Sequence, residues 1–129
     1  MLNKPMKKEY KELLFKDLSA RLSYGVIVEI ISYGQETLMP WFGKLSCKDL
    51  DCFIHDVAYK SIKPYLRPLS SMTEEEKKEY NLTKALSIVD YPTLKSFDWL
   101  NAHHFDYRGL IPMGLAIEVT EENNPYHEN

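Results

Sequence analysis

Histidine, aspartate and arginine lie close together in the stretch WLNAHHFDYRGLI, which covers residues 99–111. His103 and His104 are neighbours, and Asp106 and Arg108 follow shortly after them. Imidazole and carboxylate groups bind transition metals and transfer protons, so this stretch could belong to a metal or acid–base site. Neighbouring side chains on a helix point about 100° apart, however, so the two histidines cannot both face one metal ion.

A metal site would need residues from a distant part of the chain. A two-histidine, one-carboxylate set would form if the fold brought His55 and His104 together with Asp106 or Asp56. The spacing of these residues matches no metal-binding motif of known mechanism. A structural interpretation accounts for the same residues, because histidines suit a helix C-terminus and aspartate accepts backbone protons in turns. We expect no cofactor, and a metal-dependent enzyme stays open as an alternative.

Cys47 and Cys52 are the two cysteines of the chain. Their spacing has no second pair to complete a zinc ribbon, and either thiol would need a nearby base to act as a nucleophile. Five glycines scattered singly form no phosphate-binding loop. The N-terminal MLNKPMKKEYKELL lacks an apolar signal region, and no run approaches the roughly 20 apolar residues of a membrane span. These features predict free, packed thiols in the cytoplasm and no membrane association.

Composition and charge limit the class of protein further. The chain has 129 residues, of which 44% are hydrophobic and 27% charged, as is typical of one globular domain. The net charge of −3 provides no overall basic excess to hold a phosphate backbone. The charge is unevenly distributed, since residues 1–24 carry a net +3 and residues 118–129 carry −4. We expect a solvated helix face in the first segment and a flexible acidic tail over residues 119–129.

Hydrophobic spacing predicts a helix and then a small sheet in the N-terminal half. Apolar positions within Lys7–Leu22 recur at helical intervals, and Gly25 ends this helix, which we assign to residues 1–24. The β-branched run Val26–Ile31 predicts a strand that is buried on both faces or nearly so. Two further strands are predicted over Thr37–Cys47 and Asp51–His55, the first bent by its proline and glycine. Residues 25–61 would then form an antiparallel meander of about three strands, covered on one face by the helix.

The C-terminal half is predicted to be mostly helical. Two prolines bound a rigid, polyproline-like connector over residues 62–73. Thr73 and Glu76 match a capping box, which begins a helix running to about Ser87, and Thr93 can cap a last helix. Residues 74–118 would hold these two helices and a short final strand within Leu115–Val119. The side chains expected to face inward are Leu82, Ala85, Leu86 and Val89 on the first helix and Leu94, Phe97, Leu100 and Asn101 on the second.

Aromatic residues suggest where a partner would bind. Tyr33, Trp41 and Phe42 flank the predicted sheet, and Tyr65 lies in the connector. Aromatic side chains are common anchors of protein–protein interfaces. Together with nearby Lys44 and other cations they could also stack on single-stranded nucleic acid. Trp41 and Phe42 are adjacent, so on a strand they face opposite sides and at most one joins any exposed platform.

Three segments of the chain are distinctive: DLSARLSYGVIVEI at residues 17–30, IKPYLRPLSSMTEEE at residues 62–76 and WLNAHHFDYRGLIPMGLAIE at residues 99–118. Together they resemble a group of small proteins from gut-associated bacteria and their prophages. The resemblance implies an intracellular protein linked to a mobile element. It transfers no activity, cofactor or catalytic residue. Residues 32–58 depart most from the group, which makes the meander the expected place for partner choice.

The sequence therefore predicts a single α+β domain that acts as a non-catalytic binding or adaptor module with a protein partner. Tyr33, Trp41, Phe42 and Tyr65 are its expected contact residues. A module that binds single-stranded nucleic acid remains one alternative, although the modest basic balance disfavours it. The oligomeric state stays open, because an edge strand near Pro40 could be blocked by that proline or could pair with a second copy.

Overall fold

A computed structural model describes residues 7–34, 40–55, 59–84 and 93–126. In chain order its elements are α1 (Lys8–Arg21), β1 (Ile27–Ser32), β2 (Trp41–Lys44), α2 (Cys47–Ile54), β3 (Tyr59–Pro68), α3 (Glu74–Thr83), α4 (Leu94–Ala102), β4 (Phe105–Asp106) and β5 (Ile117–Glu118). Short 3-10 turns follow α1 at Leu22–Tyr24 and β3 at Leu69–Ser71.

The strands form one mixed sheet at the centre of the fold. Its order is β2-β1-β3-β4, and β5 also pairs with β3. The pairs β2–β1 and β1–β3 are antiparallel, whereas β4 and β5 run parallel to β3. The α+β class is confirmed, but the sheet has five strands rather than a three-stranded meander.

The first helix ends where the sequence predicts and covers one face of the sheet. Leu14 and Leu18 on α1 are fully buried in a core that also contains Val28 and Ile30 of β1. Gly25 follows the 3-10 turn with a φ of 71°, a left-handed conformation that glycine adopts without steric cost. Side chains along β1 alternate between buried and half-buried, so one face of the strand is buried fully and the other in part.

The predicted third strand is a helix. Residues Cys47–Ile54 form α2 because Ser46 caps it: the Ser46 hydroxyl accepts from the Asp49 amide, and the Asp49 carboxylate accepts from the Ser46 amide. The predicted second strand is shorter than expected, because β2 spans only Trp41–Lys44, and residues 35–39 lie outside the described residues.

The predicted connector is the longest strand. β3 pairs with β1 over Tyr59–Pro64 and with β4 and β5 beyond that point. The Leu45 amide donates to the Val26 carbonyl, so the backbone groups of Val28, two residues along, face β2 rather than β3. Pro64 stands opposite Val28, in a pair that exchanges no hydrogen bonds, and its missing N–H therefore costs the ladder nothing.

Both predicted helix caps in the C-terminal half are confirmed. Thr73 and Glu76 form a reciprocal capping box on α3, and Thr93 and Ser96 form one on α4. Three expected inward residues face solvent instead, since Leu82 is 72%, Leu94 84% and Phe97 40% exposed. The expectations for residues 85–90 lie outside the described residues.

The segment after α4 is held against the fold. The helix ends at Ala102, before Gly109 and Pro112, so the histidines follow the helix rather than form its last turn. The predicted final strand is present as β5, and the Val119 amide donates to the Leu66 carbonyl. Tyr126 packs on His104, so the described part of the expected flexible tail is anchored.

Candidate functional site

The residues of the hypothetical metal site have separate structural roles. His55 is an exposed residue at the end of α2, 3.4 Å from Asp51. Both Asp106 carboxylate oxygens accept backbone N–H groups, from Leu110 and Ile111 at 2.9 Å each. Among the described residues, no group of three or more histidine, cysteine or acidic side chains could hold a metal ion. Asp106 therefore stabilises a turn.

His104 is enclosed by packing. Its φ of 63° is left-handed, which is uncommon for a residue other than glycine. The imidazole stacks on the Tyr126 ring with centroids 3.7 Å apart, and its carbonyl accepts from the Arg67 amide at 2.8 Å. Burial, with the Arg21 charge as a further cause, lowers the pKa of His104 to about 4. The imidazole is therefore neutral near pH 7, contrary to the expected cation at a helix end.

A buried charge cluster that sequence reasoning missed joins α1 to the segment after α4. Arg21 is fully buried; its Nε donates to Asp17 at 2.8 Å and its Nη2 to the Phe105 carbonyl at 2.6 Å. Arg108 donates to the other Asp17 oxygen at 2.8 Å. The i, i+4 spacing of Asp17 and Arg21 signals a helix ion pair, but nothing in the sequence shows that it is buried. These side chains connect elements and present no surface for a ligand.

Two exposed aromatic residues, Trp41 and Phe42, lie on β2 at the opposite edge of the sheet. Trp41 is 52% and Phe42 45% exposed, and Tyr33 in the turn after β1 is 55% exposed. Trp41 stands opposite Ile30, on the face that carries the core, and Phe42 stands opposite Glu29 on the other face. Three of the four predicted contact residues are thus exposed around one strand.

Tyr65 is the exception among those four residues. It is only 5% exposed, and its ring lies 6.0 Å from that of Phe42. The sequence placed Tyr65 in an open connector, whereas it belongs to strand β3 inside the sheet. Tyr65 therefore supports Phe42 from beneath and is corrected from a surface contact to a packing residue.

β2 also has backbone groups that no described residue pairs with. The Leu45 amide donates to the Val26 carbonyl, which fixes the register so that the backbone groups of Trp41 and Gly43 face β1. The N–H and C=O groups of Phe42 and Lys44 therefore point away from β1. No described residue pairs with this side of β2. We call these four outward groups the β2 edge.

A groove of about 330 Å³ opens beside Trp41 on the core-bearing face of the sheet. We call it the Trp41 groove; its lining residues are Ile30, Ser32, Trp41, Lys48, Asp49 and Tyr59. The Trp41 indole lies over Gly43, where an added Cβ would come within 2.6 Å of Cζ2 of the ring. Gly43 is therefore the residue that allows the indole to form a flat wall of the groove.

The floor of the Trp41 groove is fixed by a polar pair. The Tyr59 hydroxyl donates to Asp49 at 2.8 Å, and the other Asp49 oxygen accepts from the Ser46 amide. Desolvation and this hydrogen bond raise the pKa of Tyr59 to about 12, so the phenol stays protonated and keeps donating. The groove thus combines apolar walls with a preorganised polar floor.

A second groove of about 330 Å³ lies between α1 and α2 and is lined by Lys8, Lys11, Glu12, Phe15 and Ile54. It adjoins no free strand edge. The two cysteines on α2 are free thiols, with Cys47 exposed and Cys52 half-buried, so the expectation that both are packed is wrong for Cys47.

Comparisons with known proteins leave the site to be interpreted from its geometry. No protein-family model, curated protein or solved structure matches the chain. Across the described ranges, every helix is too short or too polar to cross a bilayer.

Proposed function

We propose that this protein is a non-catalytic binding module that captures an extended segment of a protein partner at the β2 edge. The observation that carries the proposal is the outer side of β2, which no described residue pairs with and which carries the exposed side chains of Trp41 and Phe42. A strand added to a sheet edge gains affinity from main-chain hydrogen bonds and specificity from alternate side chains.

The aromatic side chains suit this mode of binding. Trp41 and Phe42 point to opposite faces of β2, so an added strand would meet one aromatic ring on each of its own faces. Both rings are about half exposed in the free protein and already held, Trp41 over Gly43 and Phe42 against Tyr65. Binding would therefore cost little side-chain conformational entropy at these two residues.

The proposed cellular setting follows from the thiols. Cys47 is exposed and Cys52 half-buried, and neither is oxidised to a disulfide. Free thiols persist in reducing compartments, so we place the module in the cytoplasm, as the sequence resemblance also implies.

The test is selection of binders from a random peptide library, followed by amide hydrogen exchange on the complex. We expect bound peptides to slow exchange at the amides of Phe42 and Lys44, which point outward in the free protein. The Gly43 amide already faces β1, so its exchange should change little and serves as the internal reference.

A matched pair of variants separates strand addition from other contacts. Lys44→Pro removes an outward N–H without removing a bond to β1, whereas Lys44→Ala keeps that N–H. We expect Lys44→Pro to lose about tenfold in affinity relative to Lys44→Ala, as the loss of one interfacial hydrogen bond predicts. Equal affinity of the two variants, or protection at sites away from β2, would contradict the proposed function.

A further inference from the structure

Two lysines beside β2 have no acidic partner among the described residues. Lys44 is exposed on the same face of the strand as Phe42, and Lys48 is exposed at the Trp41 groove. Neither forms an ion pair within the part of the chain that the structure describes. An unpaired ammonium group at a binding surface favours a partner of opposite charge.

Among the described residues, two acidic groups close to β2 are Asp49 in the Trp41 groove and Glu29 on β1. Asp49 accepts from the Ser46 amide and from the Tyr59 hydroxyl, which occupies both of its oxygens. Glu29 stands directly opposite Lys63 in the β1–β3 ladder, where opposite charges on neighbouring strands attract. Lys44 and Lys48 therefore remain available for the carboxylates of a partner, in a chain whose net charge is −3.

The Trp41 groove adds an apolar requirement. Its walls include Ile30 and the indole of Trp41, and Lys48 lies beside them. A strand added to the β2 edge would direct alternate side chains towards this groove. An apolar side chain there would bury the indole face, and a neighbouring carboxylate would reach Lys48.

We propose that the segment bound at the β2 edge is acidic and carries one large apolar side chain, which enters the Trp41 groove while carboxylates face Lys44 and Lys48. This inference rests on the strand addition proposed above. It specifies the chemistry of the partner, which strand addition alone leaves undefined.

A polypeptide fits the β2 edge better than single-stranded nucleic acid, although both combine negative charge with groups that stack on aromatic rings. The edge presents two N–H donors and two C=O acceptors, from Phe42 and Lys44. A phosphodiester backbone offers only acceptors, so it would leave both carbonyls without a partner, whereas a peptide backbone satisfies donors and acceptors alike.

The charge of the selected peptides provides the test. We expect peptides that protect the Phe42 and Lys44 amides to be enriched in aspartate and glutamate, and to lose about tenfold in affinity when these are replaced by lysine. In the double variant Lys44→Glu with Lys48→Glu, selection should favour basic peptides instead. The control, Lys78→Glu with Lys95→Glu, makes the same charge change on α3 and α4 and should still select acidic peptides.

The groove is tested by Gly43→Ala, whose new Cβ displaces the indole. We expect this variant to lose the preference for peptides with a large apolar residue while it keeps the preference for acidic ones. If the apolar preference survives in Gly43→Ala, the side chain does not enter the Trp41 groove and that part of the inference fails.

Other results of these binding experiments would each contradict a different part of the proposals. Neutral or basic peptides that protect the β2 edge would refute the acidic chemistry and leave strand addition standing, whereas no protection at the edge by any peptide would refute both. Binding of a fifteen-residue oligothymidine, lost in the Lys44→Glu, Lys48→Glu variant, would assign the surface to nucleic acid. A concentration-dependent dimer that Lys44→Pro dissociates would assign it to a second copy of this chain.

Discussion

At the scale of single residues, His104 shows a conflict between residue type and backbone conformation. It lies two residues beyond the last residue of α4 with a φ of 63°, at the position after the C-cap where helices commonly use glycine. The His104 amide donates to the Asn101 carbonyl, which satisfies a group at the helix end. The stacking of the imidazole on the Tyr126 ring offsets the cost of the left-handed backbone at this position.

We expect His104→Gly to be more stable than His104→Ala by about 1 kcal/mol, because both lose the ring but only alanine keeps the left-handed penalty. Chemical denaturation of the two variants measures this difference. The control is the pair Lys78→Gly and Lys78→Ala in the middle of α3, where the order reverses and the glycine variant is the less stable by about 0.5–1 kcal/mol. A His104→Ala variant at least as stable as His104→Gly would contradict the left-handed backbone.

At the scale of elements, Tyr126 completes the junction between β1 and β3. Val28 stands opposite Pro64, so in the same register Ile27 stands opposite Tyr65. The backbone groups of this pair are joined through a side chain rather than by a direct hydrogen bond. The Ile27 amide donates to the Tyr126 hydroxyl at 2.9 Å, and that hydroxyl donates to the Tyr65 carbonyl at 2.7 Å. The C-terminal segment thus completes a rung of the sheet, and burial raises the pKa of Tyr126, which keeps the hydroxyl protonated.

We expect Tyr126→Phe to lower the free energy of unfolding by about 1–3 kcal/mol, since it keeps the stacked ring but leaves a backbone donor and acceptor unpaired. Exchange of the Ile27 amide should accelerate at the same time. Tyr24→Phe is the control, because the Tyr24 hydroxyl bonds to Asp98 at the surface and its loss should cost less. Unchanged exchange at Ile27 would show that the relay is not formed.

The elements that the sequence predicted are those whose signals are local. Thr73 and Glu76 cap α3 as expected because both partners of the capping box lie within one turn. The same pattern in Ser46 and Asp49 is the local sequence signal for α2, and the predicted strand over Asp51–His55 does not take it into account. Of the four predicted contact residues, Trp41 and Phe42 lie on the short strand β2 and Tyr33 lies in the turn after β1, and all three are exposed.

The features that sequence reasoning missed depend on tertiary contacts. Pro64 argues against a strand unless one knows that its backbone nitrogen faces away from β1, which only the pairing with Val28 reveals. Tyr65 was misplaced for the same reason, and the burial of Arg21 depends on Phe105 and on Arg108, which also contacts Asp17. The Trp41 groove likewise forms only when α2 packs beside β1 and β3.

At the scale of the whole molecule, two groups in the C-terminal half govern stability towards acid in different pH ranges. Glu76 accepts two hydrogen bonds from Arg67, at 2.8 and 2.7 Å, and mainly for this reason its pKa is lowered from 4.5 to about 2. The pKa of His104 is lowered from 6.5 to about 4 by burial and by the Arg21 charge. In both cases the unfolded chain binds a proton before the folded chain does, so stability falls as the pH falls.

For Glu76 we expect the loss between pH 4.5 and 2, as the carboxylate protonates and its ion pair with Arg67 is lost. Glu76→Gln should be less stable than the parent protein near pH 7, with a difference that shrinks across this window. Urea titrations at a series of pH values measure it, and a difference that stayed constant down to pH 2 would contradict a charged Glu76 in the folded state.

For His104 we expect the loss of stability between pH 6.5 and 4, where the histidine of the unfolded chain is protonated and that of the folded chain is not. Because the imidazole keeps some contact with solvent, we expect about 1–2 kcal/mol rather than the full linkage value. Asparagine adopts the left-handed backbone readily and does not titrate. His104→Asn should therefore remove the fall in stability between pH 6.5 and 4 and leave the fall between pH 4.5 and 2 unchanged. The matched control is His55→Asn, which replaces an exposed histidine and should leave both slopes intact. Identical profiles of unfolding free energy against pH for His104→Asn and His55→Asn would show that His104 does not cause the loss of stability in this window.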